Sequence, residues 1–169
     1  MDLLNAFFFI IPAYFANSAP VLSRGKTPLD FGNKLKTNRI FGKSKTLRGL
    51  VFGIVAGSLA ALVLSFTPFY FPTLTNGQRF TLGLLTSAGA LAGDLIGSFI
   101  KRRLKITSSQ PALFLDQLPF LYFAIIAASL YHPLGLDLLD VIFLTALTLV
   151  LHPLSNYLAH AFGLKSVPW

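Results

Sequence analysis

Cysteine and glutamate are both missing from this chain of 169 residues, and charged residues of either sign are scarce. Without cysteine, neither a disulfide framework nor a thiolate metal site is possible. Without glutamate, the carboxylates for acid–base or metal chemistry come from a few aspartates alone. Charged residues make up 12% of the chain, against roughly a quarter in a typical soluble domain. The composition therefore excludes an ordinary soluble domain.

Long apolar runs stand where charge is scarce. Hydrophobic residues make up 54% of the chain, and the mean hydropathy is +0.67. Four or five runs approach the roughly 20 residues that a helix needs to cross a bilayer. We place them at Leu3–Leu22, Leu50–Phe71, Phe80–Ile100, Leu113–Tyr131 and Leu138–Phe162. The sequence therefore predicts an all-α, polytopic membrane protein with five transmembrane helices, in which residues 1–169 form a single integral-membrane domain.

The basic residues are concentrated in two segments, at about 23–49 and 101–115, which we interpret as loops. By the positive-inside rule both loops face the cytoplasm, which places the N-terminus outside and the C-terminus in the cytoplasm if there are five spans. The first run has no basic segment before it, so we interpret it as a span and not as a signal peptide. Nucleic acid is not expected as a partner, because the aromatic residues lie mainly in the apolar runs.

Asp94 places a carboxylate in or near the third apolar run, where an ionisable side chain costs roughly 2.5–3.5 kcal/mol on insertion scales. Such a residue is a functional-site candidate by default. Helical spacing predicts one face that changes from apolar to basic along the helix. Its members are Asp94, Ser98, Lys101, Arg102 and Lys105. This face suits a metal ion that holds polyphosphate at the membrane surface, and Asp116 could supply a second carboxylate.

Glycine recurs at every fourth position in the second and third runs. The residues are Gly49, Gly53, Gly57, Gly89, Gly93 and Gly97. Small residues at this spacing let helices approach closely. We therefore expect packing seams between these two spans, which bring helix backbones close to Asp94.

The first basic segment contains two sequences that resemble the end of a phosphate-binding P-loop, Gly25-Lys26-Thr27 and Gly42-Lys43-Ser44. Both lack the glycine that the motif needs five residues earlier, which excludes a nucleotide-hydrolase P-loop. The segment can still bind phosphate through its Lys, Arg and Thr donors. A solvated loop that only sets the topology is about as well supported. If the segment binds phosphate, Lys45, Thr46 and Arg48 are the first candidates.

Polar residues also interrupt the first and fifth runs. His152, Asn156 and His160 share one helical face, and this spacing could present two imidazoles to a metal. Hydrogen bonds between helices explain such histidines equally well, and Asn156 is better interpreted as a site or packing contact. Asn17 lies in a run interrupted by prolines, which predicts a cavity near the cytoplasmic end of the first span.

Three function classes remain open from the residues alone. An enzyme would use the aspartates and cations to bind polyphosphate. A small transporter or channel would use Asp94 as an ion or proton site and the basic loops as topology signals. A structural subunit would use the glycine seams but would leave Asp94 and Asp116 without a role.

Motifs distributed over nearly the whole chain resemble those of the CDP-archaeol synthases, short archaeal relatives of the phosphatidate cytidylyltransferases. They are Pro12–Pro20, Pro28–Gly32, Lys45–Gly49, Gly93-Asp94, Ser98–Arg103, Leu115-Asp116-Gln117 and Gly163–Trp169. The resemblance implies transfer of a cytidylyl group from CTP to unsaturated archaetidic acid, an ether-lipid phosphate. The products would be a CDP-archaeol-type lipid, for membrane phospholipid biosynthesis, and pyrophosphate. The implied enzyme is a monomer or homodimer in the cell membrane, with its active site at the cytoplasmic face.

The residues suit this chemistry. A phosphate monoester with a second pKa of about 6 is mostly dianionic at neutral pH, so the reaction can proceed without a general base. It needs charge neutralisation at the phosphates. The resemblance implies Mg²⁺ held by Asp94 and Asp116, with Lys101 as a third catalytic residue. Predicted CTP or phosphate contacts are Lys26, Thr27, Lys45, Thr46, Arg48, Ser98, Arg102 and Gln117, and the supporting candidates are Asn17 and Asn156.

Overall fold

A computed structural model describes residues 1–107, 110–112 and 114–168. In this part of the chain the elements are α1 (Leu3–Ser18), a 3₁₀ helix (Ala19–Ser23), β1 (Lys34–Leu35), β2 (Asn38–Arg39), α2 (Leu47–Ser65), α3 (Asn76–Arg103), α4 (Leu118–Ser129) and α5 (Leu138–Ala161). The two strands form a small antiparallel hairpin, so the described architecture is otherwise helical, as predicted. The start of the fourth predicted run at Leu113, Ser108 and Ser109 of the second predicted loop, and Trp169 of the last motif lie outside the described residues.

Within the described ranges, four segments are long and apolar enough to cross a membrane: Leu3–Ser23, Leu47–Ser65, Asn76–Arg103 and Leu138–Ala161. The chain is thus a multi-pass membrane protein. The helix in the fourth predicted run, α4, has only 12 residues, which is short of the roughly 20 that a bilayer requires. Pro119 stands in its first turn, a position where proline favours a helix start. The fifth span and the orientation of the chain stay predictions.

Side-chain caps set several helix starts. The Thr46 hydroxyl accepts a hydrogen bond from the Gly49 amide at 3.1 Å and begins α2 three residues before the predicted start of the span. Helix α3 extends to Arg103, so the second basic segment begins inside a helix and not in a loop. The prediction that Lys105 shares the face of Asp94 is wrong, because Lys105 follows the helix end with φ of 61°.

The glycine seams exist, and the predicted packing between α2 and α3 is confirmed for the α2 seam, whereas the α3 seam has a different partner. A Cβ at Gly93 would lie 2.2 Å from the Pro119 carbonyl oxygen, so the α3 seam packs against α4. A Cβ at Gly53 would lie 2.6 Å from the Ala16 carbonyl oxygen. The α2 seam packs against both α1 and α3, because Gly53 also meets Leu91 and Gly57 meets Ser87 of α3. Close approach of backbones is the usual mode of helix association in lipid.

The helices gather at two distinct ends. At one end the Met1 amine contacts Asp140 at 2.8 Å, which brings the starts of α1 and α5 together. The Arg79 guanidinium donates there to the carbonyls of Phe71 and Thr67, at 3.0 and 2.9 Å, and so ties the α2–α3 connection to α3. The other end gathers the basic segment 24–46, the end of α3, the start of α4 and the end of α5. The candidate residues lie at that second end.

Candidate functional site

Asp94 of α3 forms an ion pair with Lys45, which lies 49 residues earlier in the chain. The distance from Lys45 Nζ to Asp94 Oδ2 is 2.5 Å, and the side chains are 25% and 21% exposed. Lys45 directly precedes Thr46, so the cap that begins α2 also fixes the backbone that carries the lysine. The long basic segment is thereby anchored to the membrane-embedded carboxylate.

Asp116, in the turn before α4, forms a second ion pair with Lys101 of α3. The Lys101 ammonium donates to both carboxylate oxygens, at 2.7 and 2.9 Å, and to the Gln110 carbonyl at 3.0 Å. The Ala112 amide donates to Asp116 Oδ2 at 2.9 Å. The lysine side chain is 7% exposed and the aspartate 33%. We call the Lys45–Asp94 and Lys101–Asp116 pairs together the paired centre.

The α3 glycine seam explains why the two pairs are neighbours. Asp94 and Lys101 are seven residues apart, so they lie on one face of α3 two turns apart. Between them, Gly97 has no side chain, and a Cβ there would lie 2.5 Å from the Leu115 carbonyl oxygen. The turn that carries Asp116 can therefore rest on the α3 backbone beside Lys101. A larger residue in this seam would push the two aspartates apart.

A third lysine approaches the paired centre from the end of α5. The Lys165 ammonium donates to the Asn156 side-chain carbonyl at 3.0 Å. Burial lowers the pKa of Lys165, and the two lysines of the paired centre lower it further, while its two aspartates act in the opposite direction. Lys165 was not among the predicted site residues. Its position in a segment after the last helix gives no periodic signal.

His152 and His160, whose spacing could present two imidazoles to a metal, contact different groups in the structure. The His152 ring nitrogen Nδ1 lies 3.5 Å from the Asn17 amide nitrogen, and the ring stacks on Phe120 with centroids 5.6 Å apart. His160 Nδ1 instead lies 3.0 Å from the Lys165 carbonyl oxygen. His152 thus makes contacts between helices, the alternative left open by the sequence, whereas the exposed His160 makes a local contact at the end of α5. The described ranges contain no group of three or more His, Cys, Asp or Glu side chains able to hold a metal ion.

Asp30, which was not among the predicted site residues, organises the basic segment through its hydrogen bonds. Its Oδ1 accepts from the Gly32 amide at 3.1 Å and from Arg39 at 2.5 Å. Its Oδ2 accepts from the amides of Phe41 and Gly42, both at 3.1 Å. Burial alone would raise the pKa of Asp30, but Arg39 and the three amides outweigh it and lower that pKa. We call these five residues the Asp30 cluster. The Asp-x-Gly sequence was its local signal.

The two arginines at the end of α3 attach this segment to the helix. Arg102 donates to the Phe41 and Ile106 carbonyl oxygens, and Arg103 donates to the Leu35 carbonyl at 2.8 Å. Arg102 is thus occupied by backbone carbonyls in this structure, although it was predicted to bind phosphate. It also lines a surface pocket that is rich in cations. The four basic side chains of this basic pocket are Arg39, Lys43, Arg102 and Lys105.

The remaining predicted contacts are distributed around the same end of the bundle. Lys26, Thr27 and Arg48 are exposed, and the Thr27 carbonyl accepts from the Leu47 amide at 3.0 Å. They form the approach to Lys45 and lie outside the paired centre. Ser98 and Gln117 are close in sequence to the residues of the paired centre. Both are buried, with 9% and 6% of their surface exposed. Among the described residues, the Gln117 side-chain carbonyl oxygen meets no hydrogen-bond donor.

The two carboxylates of the paired centre are ligands of the kind that Mg²⁺ prefers. Mg²⁺ in phosphate-transferring sites is commonly held by one or two carboxylates together with substrate phosphates and water. Asp94 and Asp116 supply two partly exposed carboxylates at the same end of α3. The present partner of Asp94 is the partly exposed Lys45 side chain, which is flexible and can turn toward an arriving phosphate.

Comparison with known proteins adds independent information. A family model described as CarS-like CDP-archaeol synthase matches residues 1–169. The chain is 44% identical to the CDP-archaeol synthase of Pyrococcus furiosus over 168 residues, covering 99% of this chain and 98% of that protein. It is 45% identical to the CDP-archaeol synthase of Thermococcus onnurineus, with the same coverage of both chains. A solved structure of an intramembrane enzyme for archaeal membrane lipid biosynthesis superposes with a TM-score of 0.81 at 34% identity, covering 92% of this chain and 94% of that chain.

Proposed function

The chain belongs to the CarS-like CDP-archaeol synthase family, and we propose that it transfers the cytidylyl group of CTP to unsaturated archaetidic acid in a Mg²⁺-dependent reaction. Family membership makes the chain a CTP-dependent cytidylyltransferase of archaeal lipid synthesis. It therefore favours the enzyme over the transporter and structural-subunit hypotheses. The proposal concerns the finer points: the lipid acceptor, the metal, the residues and the side of the membrane.

The observation that carries the proposal is the paired centre. Two aspartate–lysine ion pairs lie where α3, the start of α4 and the basic segment converge. A cytidylyl transfer brings together a nucleotide triphosphate and a lipid phosphate, which repel each other at neutral pH. Cations must neutralise that charge while the two phosphates are held in line. The two ion pairs support a role for Lys45 and Lys101 in neutralising the phosphates, and for Asp94 and Asp116 in holding a metal ion.

We propose the following use of these residues. A Mg²⁺ ion bound by Asp94 and Asp116 would polarise the α-phosphate and stabilise the departing pyrophosphate. Lys45 then releases Asp94 and donates to a nucleotide phosphate. Lys101, whose side chain is almost fully buried, stays near Asp116. A lipid phosphate oxygen attacks without a general base, since it is already deprotonated.

The two substrates would reach this centre from different sides. We propose that CTP enters from the aqueous side, where four basic side chains line the basic pocket. Lys43 and Lys105 are the ones we assign to its phosphates, because Arg39 pairs with Asp30 and Arg102 donates to backbone carbonyls. The lipid enters sideways from the bilayer, with its headgroup at the level of Asp94. In the predicted orientation this end of the bundle faces the cytoplasm, which is where CTP is made. The glycine seams leave the protein equally able to act as a monomer or as a homodimer.

The proposal is tested by following label from α-³²P-CTP into the organic phase with purified full-length protein. The acceptors are unsaturated diether phosphate, saturated diether phosphate and a diacyl phosphatidate, each with Mg²⁺ or with excess EDTA. We expect Mg²⁺-dependent transfer that is fastest with the unsaturated diether phosphate. Equal transfer in EDTA would contradict the metal assignment, and preference for the diacyl lipid would contradict the acceptor assignment.

A further inference from the structure

We infer that Lys165 is a further substrate-binding residue, whose ammonium group binds the phosphate of the lipid substrate at the α5 side of the paired centre. The inference rests on the proposed function and extends it to a segment that carries no predicted contact. It is drawn from the path of the chain after α5, from the contacts of Asn156, and from the surface that α5 presents to lipid.

The chain reverses after α5 and returns Lys165 to the helix. Gly163 has φ of +69°, a conformation that glycine adopts without strain at a helix C-terminus. The Gly163 amide donates to the His160 carbonyl at 2.9 Å, and the Leu164 amide donates to the Ala159 carbonyl at 2.8 Å. These bonds close the last turn of α5. Lys165 consequently lies along the helix that precedes it.

The helix face that Lys165 joins points into the bundle. The Lys165 ammonium contacts Asn156 at 3.0 Å, and Asn156 lies one turn after His152 on the same face. His152 in turn contacts Asn17 of α1 and stacks on Phe120 of α4. This face therefore looks toward α1 and α4. The ammonium group therefore lies at the edge of the bundle interior.

Electrostatic coupling agrees with this position. The pKa of Lys165 is lowered first by burial and then by the cations of the paired centre, and it is raised by both aspartates. Each of the four charged groups is thus close enough to act on Lys165. Three lysines approach two carboxylates from three directions: the basic segment, α3 and the end of α5. This excess of cations suits a site that must receive two phosphate substrates.

The lipid is the better ligand for Lys165 because of what surrounds it. Among the described elements, helix α5 packs mainly against α1 and α4, and near Asn156 its apolar side chains remain exposed. Leu154, Tyr157 and Leu158 are 47%, 60% and 45% exposed. Isoprenoid chains can lie along this surface while their phosphate reaches Lys165. Lys45 and the basic pocket lie on the side of the basic segment, where the nucleotide enters.

In the reaction, a lipid phosphate oxygen forms a bond to the α-phosphorus of CTP. The bond from that phosphorus to the oxygen bridging to the β-phosphate breaks, and pyrophosphate leaves with the electron pair. Lys165 exchanges no proton in this step. It holds the other oxygens of the attacking phosphate and so orients the nucleophile.

Steady-state kinetics of full-length variants in mixed micelles test the inference. Lys165→Ala should raise the KM for the lipid phosphate about tenfold or more, the loss expected for one charge-assisted hydrogen bond. The KM for CTP should change less than about twofold, and Lys165→Arg should restore part of the lipid affinity. Asn156→Ala should give a smaller rise in the same KM. The matched control is Lys34→Ala, which removes an exposed lysine of β1 and should behave as wild type.

Three outcomes would overturn the inference. The first is an unchanged lipid KM in Lys165→Ala. The second is a rise in the KM for CTP alone, which would assign Lys165 to the nucleotide. The third is a fall in kcat with both KM values unchanged and a lower melting temperature, which would mean a structural role only.

A binding measurement separates this inference from the proposed function. Radiolabelled diether phosphate is titrated into micelles of wild type, Lys165→Ala and Lys34→Ala in the absence of CTP. About tenfold weaker binding by Lys165→Ala alone would support the inference even if the wild-type protein transferred no label. Equal binding by all three proteins would overturn it even if transfer were robust.

Discussion

The Asp30 cluster and the paired centre lie at the same end of the bundle but use carboxylates in opposite ways. The Asp30 side chain is fully buried and accepts four hydrogen bonds, three of them from backbone amides. Asp94 and Asp116 are 21% and 33% exposed. Among the described residues, Asp94 has one hydrogen-bonded partner, the Lys45 side chain.

This difference separates architecture from chemistry. A carboxylate saturated by backbone amides has little capacity for a further ligand, because any new contact would leave a buried donor unsatisfied. Asp94 can exchange its lysine partner at small cost, because the partly exposed Lys45 ammonium can donate to a phosphate instead. The Asp30 cluster therefore builds the loop that carries Lys45. The paired centre is the part of the molecule that is open to substrate and metal.

The largest expected effect is on activity at the paired centre. Asp94→Asn and Asp116→Asn should each lower label transfer on the order of 10³-fold, because they remove carboxylates assigned to the metal. The melting temperature of Asp94→Asn should change little, since both members of that ion pair are partly exposed. Asp116→Asn should also lower the melting temperature, because the almost fully buried Lys101 loses its carboxylate partner. Asp137→Asn is the matched control: Asp137 caps α5 at the opposite end, asparagine caps equally well, and activity should be retained. Loss of activity in all three variants would contradict a specific role of the paired centre, because Asp137 lies at the opposite end of the bundle.

The Asp30 cluster should respond through stability instead. Asp30→Asn leaves one acceptor oxygen for donors that now use two, and it leaves Arg39 without its carboxylate. We expect a loss of about 3 kcal/mol, together with faster proteolysis of the basic segment. Thermal unfolding in detergent measures the first effect and timed trypsin digestion the second. Activity lost without any change in either measurement would show that Asp30 acts at the reaction centre.

The pH dependence of the basic segment follows from the lowered pKa of Asp30. The ionised form is favoured in the folded state, so its contribution is fully present above the ordinary pKa of 3.8. It is lost only as the pH falls below that value, through the lower folded-state pKa. A protease that is active in acid should find the segment protected at pH 5 and susceptible well below pH 4. In Asp30→Asn, this change with pH should disappear.

The α3 glycine seam brings the turn that carries Asp116 against the helix that carries Asp94. Adding one methyl group to this seam tests its role. Gly93→Ala would place a Cβ 2.2 Å from the Pro119 carbonyl oxygen, so α3 and α4 must separate. We expect a loss of about 2 kcal/mol from overpacking, accompanied by lower activity. Gly77→Ala is the matched control in the same helix, because nothing lies within 4 Å of its Cβ. Equal behaviour of the two variants would mean that α4 is not packed on this seam.

The smallest expected effect compares two caps. Thr46→Ala and Thr75→Ala each remove a hydroxyl that caps a helix, α2 or α3, and each should cost about 1 kcal/mol. Only Thr46 adjoins Lys45, so only Thr46→Ala should also weaken CTP binding, as measured by its KM. The same KM change in both variants would indicate a general loss of stability and would leave Lys45 without a special role.

Much of the fold could be predicted because it depends on local patterns. The starts of α1 and α5 agree with the predicted runs, since both begin where apolar residues follow a capping aspartate. The start of α2 was placed too late because Leu47 and Arg48 belong to a helix that Thr46 begins. The short length of α4 could not be predicted from the sequence. The composition of an apolar run is the same whether or not the chain before Pro119 is helical.

The site was harder to predict because its contacts join distant segments. Asp94 and Asp116 stood out as rare carboxylates in apolar surroundings. Their lysine partners depend on the path of the basic segment and on which neighbour the α3 glycines admit. Arg102 has the periodicity of a site residue, yet the helix end turns it toward carbonyls of the loop. Lys165 depends on a chain reversal at Gly163, whose consequence becomes visible only in three dimensions.

The most direct test of the paired centre is equilibrium binding of CTP to wild type, Asp94→Asn and Asp116→Asn, each with and without Mg²⁺. Without metal, we expect each variant to bind CTP at least as tightly as wild type, because a negative charge is removed from a site that contains several lysines. With Mg²⁺, wild type should gain affinity and the variants should not. If both variants kept the full gain in affinity from Mg²⁺, the assignment of the two aspartates to the metal would be contradicted.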